Sequence, residues 1–171
     1  MTARHPQPIT IRPYTVADAL ELTRVFRSSV RSIASLDYTV SQIQVWAPED
    51  IDVEQFGRRC DTESTWVAEI QGRIAGFSDL EPEGHIDMLY VHPVFARRGV
   101  ARALLEHIEQ AARANGLSRL CAEASMTARP VFEAMGFRTL APQAVMLRGE
   151  SFTNFRLEKR LEPPAPGPRF T

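Results

Sequence analysis

Lysine is nearly missing from this chain: of its 20 basic residues only Lys159 is a lysine, and the rest are arginine. Arginine's planar fork grips two oxygens at once, which suits phosphate, although genomic base composition produces the same bias. Cysteine is scarce too. Cys60 and Cys121 stand far apart with no Cys-x-x-Cys spacing and no clustered histidines, so neither a disulfide framework nor a metal site is expected. No apolar run approaches the ~20 residues that cross a bilayer. The opening Met-Thr-Ala-Arg-His-Pro-Gln-Pro lacks the apolar centre of a secretory signal, so a cytoplasmic location without a membrane partner is the expectation. A formal net charge of -1 supplies no global pull toward nucleic acid.

What is present fits one folded domain. The 171 residues suffice for a full core, expected over residues 1–162 with a loose arm at 1–8. The tail Pro163-Pro-Ala-Pro-Gly-Pro-Arg-Phe-Thr171 is too proline-rich to pack and is expected to be disordered.

Residues 9–14 alternate like a strand. Thr15 followed by Asp18 signals a helix start, and Leu20, Leu22, Val25, Phe26 and Val30 then recur at helical spacing, which predicts a helix near 16–35. Thr39 and Gln42 open a second, shorter helix that Pro48 stops, and residues 51–59 have room for one more turn or two. The period then changes. Residues 65–70 and 73–80 read as strands around a Gln71-Gly72 turn, and 85–92 as a third strand of an antiparallel meander. From about Arg98 a helix buries Val100, Leu104, Leu105, Ile108 and Ala112, and Asn115-Gly116 ends it. A strand at 119–124 follows, parallel to 85–92 by the handedness of the crossover. A short helix at 127–135 and two closing strands near 138–148 and 152–161 complete the order.

The stretch Ile86 to Leu105 carries the most chemistry. A strand ends at His92-Pro93, and Arg97-Arg98-Gly99 then opens a helix. Free N–H groups and two arginines at a helix N-terminus make a place for phosphate or pyrophosphate. The plainer alternative is a solvated helix start.

Val91-His-Pro followed by Ala96-Arg-Arg-Gly-Val-Ala101 resembles the Gln/Arg-x-x-Gly-x-Gly/Ala loop of the GNAT superfamily of N-acetyltransferases. Ser125-Met-Thr-Ala-Arg-Pro-Val-Phe-Glu-Ala-Met-Gly-Phe137 is similar to that family's Asn-x-x-Ala-x-x-x-Tyr-Glu-x-x-Gly-Phe helix, and the order of elements agrees over nearly the whole chain. The resemblance implies an α+β fold: a mixed, mostly antiparallel central sheet with a splayed parallel strand pair and flanking helices in three layers. It also implies acetyl-CoA as co-substrate. Its pyrophosphate would be held by Arg97, Arg98, Gly99, Val100, Ala101 and Arg102. Its pantetheine arm would meet the backbone of Leu89, Tyr90 and Val91 like an added strand, with Ser125, Ala128 and Phe132 on the other side.

Transfer to an amine of pKa ~10.4 requires a base, because most of the amine is protonated at neutral pH. Alternation puts His85, Asp87, Leu89 and Val91 on one strand face, with Tyr90 on the other. His85 and Asp87 are the candidate bases, with Glu123 in reserve, and the resemblance assigns the oxyanion donor to the Leu89 N–H. The alternative roles are a cap of the turn after Gly84 for His85 and, for Asp87, a hold on a loop or on an arginine. The family's acid tyrosine matches Phe132, which cannot donate a proton, so no general acid is assigned. Tyr38, Gln42 and Trp46 recur at helical spacing, either as an acceptor wall with Asn154 or as an apolar face docked on the sheet. The acceptor is expected to be a primary amine of a small molecule or peptide. A catalytically silent acetyl-CoA or CoA sensor is the alternative, and a homodimer is compatible with an exposed closing hairpin.

Overall fold

The computed structural model describes residues 6–163. The tail expected to be disordered therefore lies outside the described residues apart from Pro163, as does the arm up to His5. Residues 6–8 have no regular structure.

Strand β1 (Thr10–Pro13) leads through a single 3-10 turn (Val16–Asp18) into helix α1 (Ala19–Ser32). The expected start signal is present: the Thr15 N–H donates to Asp18 Oδ2 at 2.8 Å. Helix α2 (Val40–Trp46) carries the second capping box. The Gln42 N–H donates to Thr39 Oγ1 at 3.2 Å, and the Thr39 N–H to Gln42 Oε1 at 2.8 Å. Helix α3 (Val53–Thr62) is longer than the turn or two expected, because Asp52 caps it through the Gln55 N–H.

Strands β2 (Ser64–Ile70) and β3 (Arg73–Leu80) form the expected hairpin. The third expected strand is split in two, β4 (His85–Ile86) and β5 (Leu89–Val91). Helix α4 (Val100–Ala114) begins two residues later than the sequence suggests and buries the whole expected stripe. Strand β6 (Arg119–Ser125), helix α5 (Arg129–Ala134) and the hairpin β7 (Arg138–Leu147) with β8 (Glu150–Arg160) close the chain.

The strands lie in two four-stranded sheets, ordered β1-β2-β3-β5 and β4-β6-β8-β7. All pairings are antiparallel except β4 with β6, which run parallel for only two registered pairs, His85↔Cys121 and Ile86↔Ala122. The meander thus continues from β3 into β5, while β4 leaves for the other sheet.

The split has a legible physical cause. Residues two apart in a strand share a face, yet Ile86 is buried against Leu105 and Ile108 of α4, whereas Met88 is buried with Leu22 and Val25 of α1. The alternation slips by one residue at Asp87-Met88. Leu89 and Val91 then face α4, and Tyr90 faces α1. Helices on both sides bury large side chains such as Phe77 at 0% exposure, each contributing roughly 1.5–3 kcal/mol of transfer free energy. Gly76 lets the layers close up: a Cβ there would lie 2.7 Å from the Tyr90 carbonyl oxygen and 3.0 Å from Val100 Cγ1. Among the described residues no helix is long and apolar enough to cross a membrane.

Candidate active site

Beyond Ile86 and Ala122 the two sheets part, and the wedge between β5 and β6 has a defined edge chemistry. Toward β3, the Asp79 N–H donates to the Met88 carbonyl at 3.4 Å and the His92 N–H donates to the Ala75 carbonyl at 2.8 Å. Antiparallel alternation then turns the Tyr90 backbone to β3 as well, and the Leu89 and Val91 N–H and C=O groups toward the wedge. Two of the three expected pantetheine contacts keep an available backbone. The third, Tyr90, is corrected: its backbone is committed to the sheet.

The wedge runs into the turn before α4. Arg97 (φ 59°) and Gly99 (φ 84°) both take left-handed conformations, and Gly99 is the N-cap of α4. No side chain caps this helix, so the first-turn N–H groups of Val100, Ala101 and Arg102 have no capping partner among the described residues. The guanidinium groups are arranged differently from the expectation. Arg98 donates to Gln7 Oε1 at 3.1 Å and lies over the Phe95 ring, and Arg102 pairs with Glu106 at 2.8 Å. The backbone therefore supplies the firm donors, with Arg97 exposed beside them.

At the point of the wedge, Asp87 is ion-paired with Arg59 of α3. The slipped alternation puts Asp87 on the same side as Tyr90, on the face of α1 and α3, and away from Leu89 and Val91. The expectation of a shared face for His85, Asp87, Leu89 and Val91 fails for that reason. His85 Nδ1 lies 3.1 Å from Glu81 Oε2, so His85 is engaged with the loop after β3. Glu123 is exposed on β6, opposite Arg156 of β8. Its neighbours Ala122 and Ala124 bury toward α4, so Glu123 projects to the same side as Asp87. Burial pushes the Tyr90 phenol up to about 12, with Trp46 and Arg59 opposing the shift.

Around this face Trp46 and Asn154 are half-buried. The Asn154 Oδ1 is buried with no hydrogen-bond partner among the described residues. Tyr38 differs from the expected acceptor contact. It is 8% exposed, its hydroxyl donates to the Thr153 carbonyl at 3.1 Å, and the same oxygen accepts the Met126 N–H at 2.9 Å. It stands edge-on to Trp46, with ring centroids 5.4 Å apart, so it braces the wall from behind. On the other side of the wedge, Ser125 Oγ accepts the Ala128 N–H at 3.1 Å and so fixes the turn into α5. Phe132 is buried edge-on to Phe137 and offers no proton.

Two residues that the sequence reading passed over meet at the break. Asp79 of β3 is fully buried, and its Oδ1 accepts the Asp87 N–H at 3.0 Å and the Met88 N–H at 2.7 Å. Ser78 Oγ donates to the Met88 carbonyl at 2.5 Å. The available signal was a Ser-Asp pair inside an otherwise apolar strand, where polar side chains cost free energy unless they are bonded. Arg59, the partner of Asp87, carried no local signal at all.

The acetyltransferase (GNAT) domain family matches residues 34–159. The uncharacterized N-acetyltransferase YafP of Escherichia coli (strain K12) is 40% identical over 147 residues, covering 86% of this chain and 93% of YafP. A GCN5-related N-acetyltransferase (aminotransferase, class-II) from Rhodopseudomonas palustris superposes with a TM-score of 0.88 at 31% identity, over 94% of this chain and all of that one. The GNAT superfamily phosphinothricin acetyltransferase of Sinorhizobium meliloti, solved in complex with acetyl-CoA, shares the fold at a TM-score of 0.70 and 17% identity. That match covers 90% of this chain and 88% of the other.

Proposed function

Because this chain belongs to the GNAT family of N-acetyltransferases, we propose that it transfers the acetyl group of acetyl-CoA directly to a primary amine of a small molecule or peptide, with both substrates bound at once. The observation that carries this reading is the continuous backbone edge from Leu89 and Val91 to the uncapped first turn of α4. An extended, amide-bearing chain ending in a pyrophosphate fits such an edge: the strand-like part pairs with β5 and the anion meets the helix N-terminus. Gly99 holds the left-handed turn and, with Ala101, leaves the approach to these N–H groups clear.

On this reading the amine enters from the face of α1 and α3, between Asp87 with Arg59 on one side and Glu123 with Asn154 on the other. Asp87 accepts the amine proton, directly or through water, and Glu123 is the nearest alternative on the opposite strand. The amine nitrogen then forms its bond to the thioester carbonyl carbon. The developing oxyanion is stabilised by the Leu89 N–H, and the carbon–sulfur bond breaks to release thiolate. A thiol is acidic enough to leave and take a proton from solvent, which suits a helix carrying Phe132 where the family pattern has tyrosine. His85, held by Glu81, orients the start of the break. Trp46 and Asn154 form the acceptor wall, and Tyr38 supports it.

The buried, hydroxyl-free Phe132 favours a second reading, an acetyl-CoA sensor that binds without turnover. Thermal melting with acetyl-CoA, with ATP as the anion control, tests the shared part of both. Ligand at ~100 times its Kd adds roughly 2.7 kcal/mol, or on the order of 5–10 °C for a domain of this size. No shift with acetyl-CoA sinks both readings. A shift with no thiol release across an amine library leaves only the sensor.

A further inference from the structure

We propose that Asp79 is a positioning residue for this transfer: its buried carboxylate clamps the Asp87 and Met88 amides and thereby sets the direction of the Leu89 N–H and of the Asp87 side chain. The proposal rests on the transferase reading above and adds a residue to it.

Two consecutive N–H groups turned to the same side cannot both be met by a neighbouring strand, which takes alternate residues. At the break between β4 and β5 a single atom, Asp79 Oδ1, accepts both of them, at 3.0 and 2.7 Å. The adjacent Ser78 hydroxyl holds the Met88 carbonyl. Neighbouring side chains of β3 therefore fix both ends of residue 88, and the break directs Asp87 toward Arg59 and the Leu89 N–H toward the wedge.

A neutral acceptor would satisfy two amides without placing a charge in the interior. Here a carboxylate with no exposure occupies the position, and its second oxygen, Oδ2, is buried with no hydrogen-bond partner among the described residues. The charged groups facing it are Asp87 at the break and Arg59 of α3. The neutral titratable neighbours are Cys60 of α3 and Tyr90 of β5. Burial pushes the Asp79 carboxyl up to about 6. Asp87 adds to the rise, while the bonds from the Met88 and Asp87 amides and the charge of Arg59 oppose it.

A raised acid favours the protonated form in the fold. Its charge therefore removes stability as pH rises from the ordinary carboxylate range through about 6, and the loss is complete at neutral pH. Retaining a charge there has a use: charge-assisted bonds to amides are about twice as strong as neutral ones, so the ionised form holds the break more firmly.

The test compares wild type with Asp79→Asn, which keeps the shape and one acceptor oxygen but no charge. At neutral pH the variant is expected to melt no lower than wild type, while kcat falls about tenfold or more as the reacting groups lose their register. The deficit in kcat relative to wild type shrinks toward pH ~5, where wild-type Asp79 is itself protonated. Hydrogen exchange at the Asp87 and Met88 amides, measured without ligand, should accelerate about tenfold, following the weaker bonds. A kcat within about twofold of wild type at neutral pH, or a deficit that stays constant down to pH ~5, overturns the proposal. If wild type neither binds acetyl-CoA nor turns over, the transferase reading fails separately. The exchange rates then decide the clamp: acceleration supports it and unchanged rates refute it.

Discussion

The two sides of the wedge are built from different materials. The α4 side offers backbone: the open edge of β5 and the uncapped first turn of the helix, shaped by left-handed residues at Arg97 and Gly99. The α1–α3 side offers side chains drawn from separate elements, with Arg59 from α3, Asp87 from the break, Glu123 from β6, Asn154 from β8 and Trp46 from α2. Backbone donors are the same whatever residue carries them, so the first side suits a ligand shared by a whole family. Side chains differ from chain to chain, so the second side is where, on the proposed reading, an acceptor is chosen.

The largest effect expected from breaking this division is on the side-chain half. Asp87→Asn removes the proposed base and leaves the backbone edge of β5 intact. We expect kcat at neutral pH to fall about 100-fold or more, with little change in the Kd for acetyl-CoA. The deficit should narrow as pH rises toward the amine's own pKa of ~10.4, because free amine then forms without help. A loss that is equal at pH ~7 and ~9 would reduce Asp87 to a structural partner of Arg59. Gly99→Val attacks the other half. A branched residue at φ 84° is strained, at a cost of about 1–3 kcal/mol, and the turn that presents the α4 amides is lost with it. The Kd for acetyl-CoA should rise roughly 10- to 100-fold while the acceptor face stays ordered, which calorimetry reads directly.

The same division explains what the sequence disclosed. Residues 96–101 carry their meaning in local spacing, since a glycine immediately before an amphipathic stripe specifies turn and helix together. The stripe of α4, both capping boxes and the β2–β3 turn were legible for this reason. The slip at Asp87-Met88 was not. Residues 88–91 are all apolar, so the sequence does not say which face each takes, and only the long-range bonds to Ser78 and Asp79 show where period two fails. That one slip reversed the expected relation of Asp87 to Tyr90. Arg59 was invisible because its partner is 28 residues away in the chain. Tyr38 had the spacing of a wall residue, and its role turned on Thr153 and Met126, which no local pattern connects to it.

Tyr38 gives the smallest effect and the sharpest line between wall and brace. Its ring is buried among Trp46 and Phe152, and its hydroxyl joins the turn before α2 to Met126 just after β6 and to β8. Tyr38→Phe keeps the ring and removes both bonds, leaving the Met126 N–H and the Thr153 carbonyl to find other partners. The expected cost is about 1–3 kcal/mol of stability, a fall in melting temperature of a few degrees. Because the hydroxyl faces protein on both sides, KM for the acceptor should stay within about twofold of wild type, an amount worth less than 0.5 kcal/mol. A KM that rises tenfold with melting temperature unchanged would return Tyr38 to the acceptor wall. The side-chain half would then extend one layer deeper than the hydrogen bonds of Tyr38 allow.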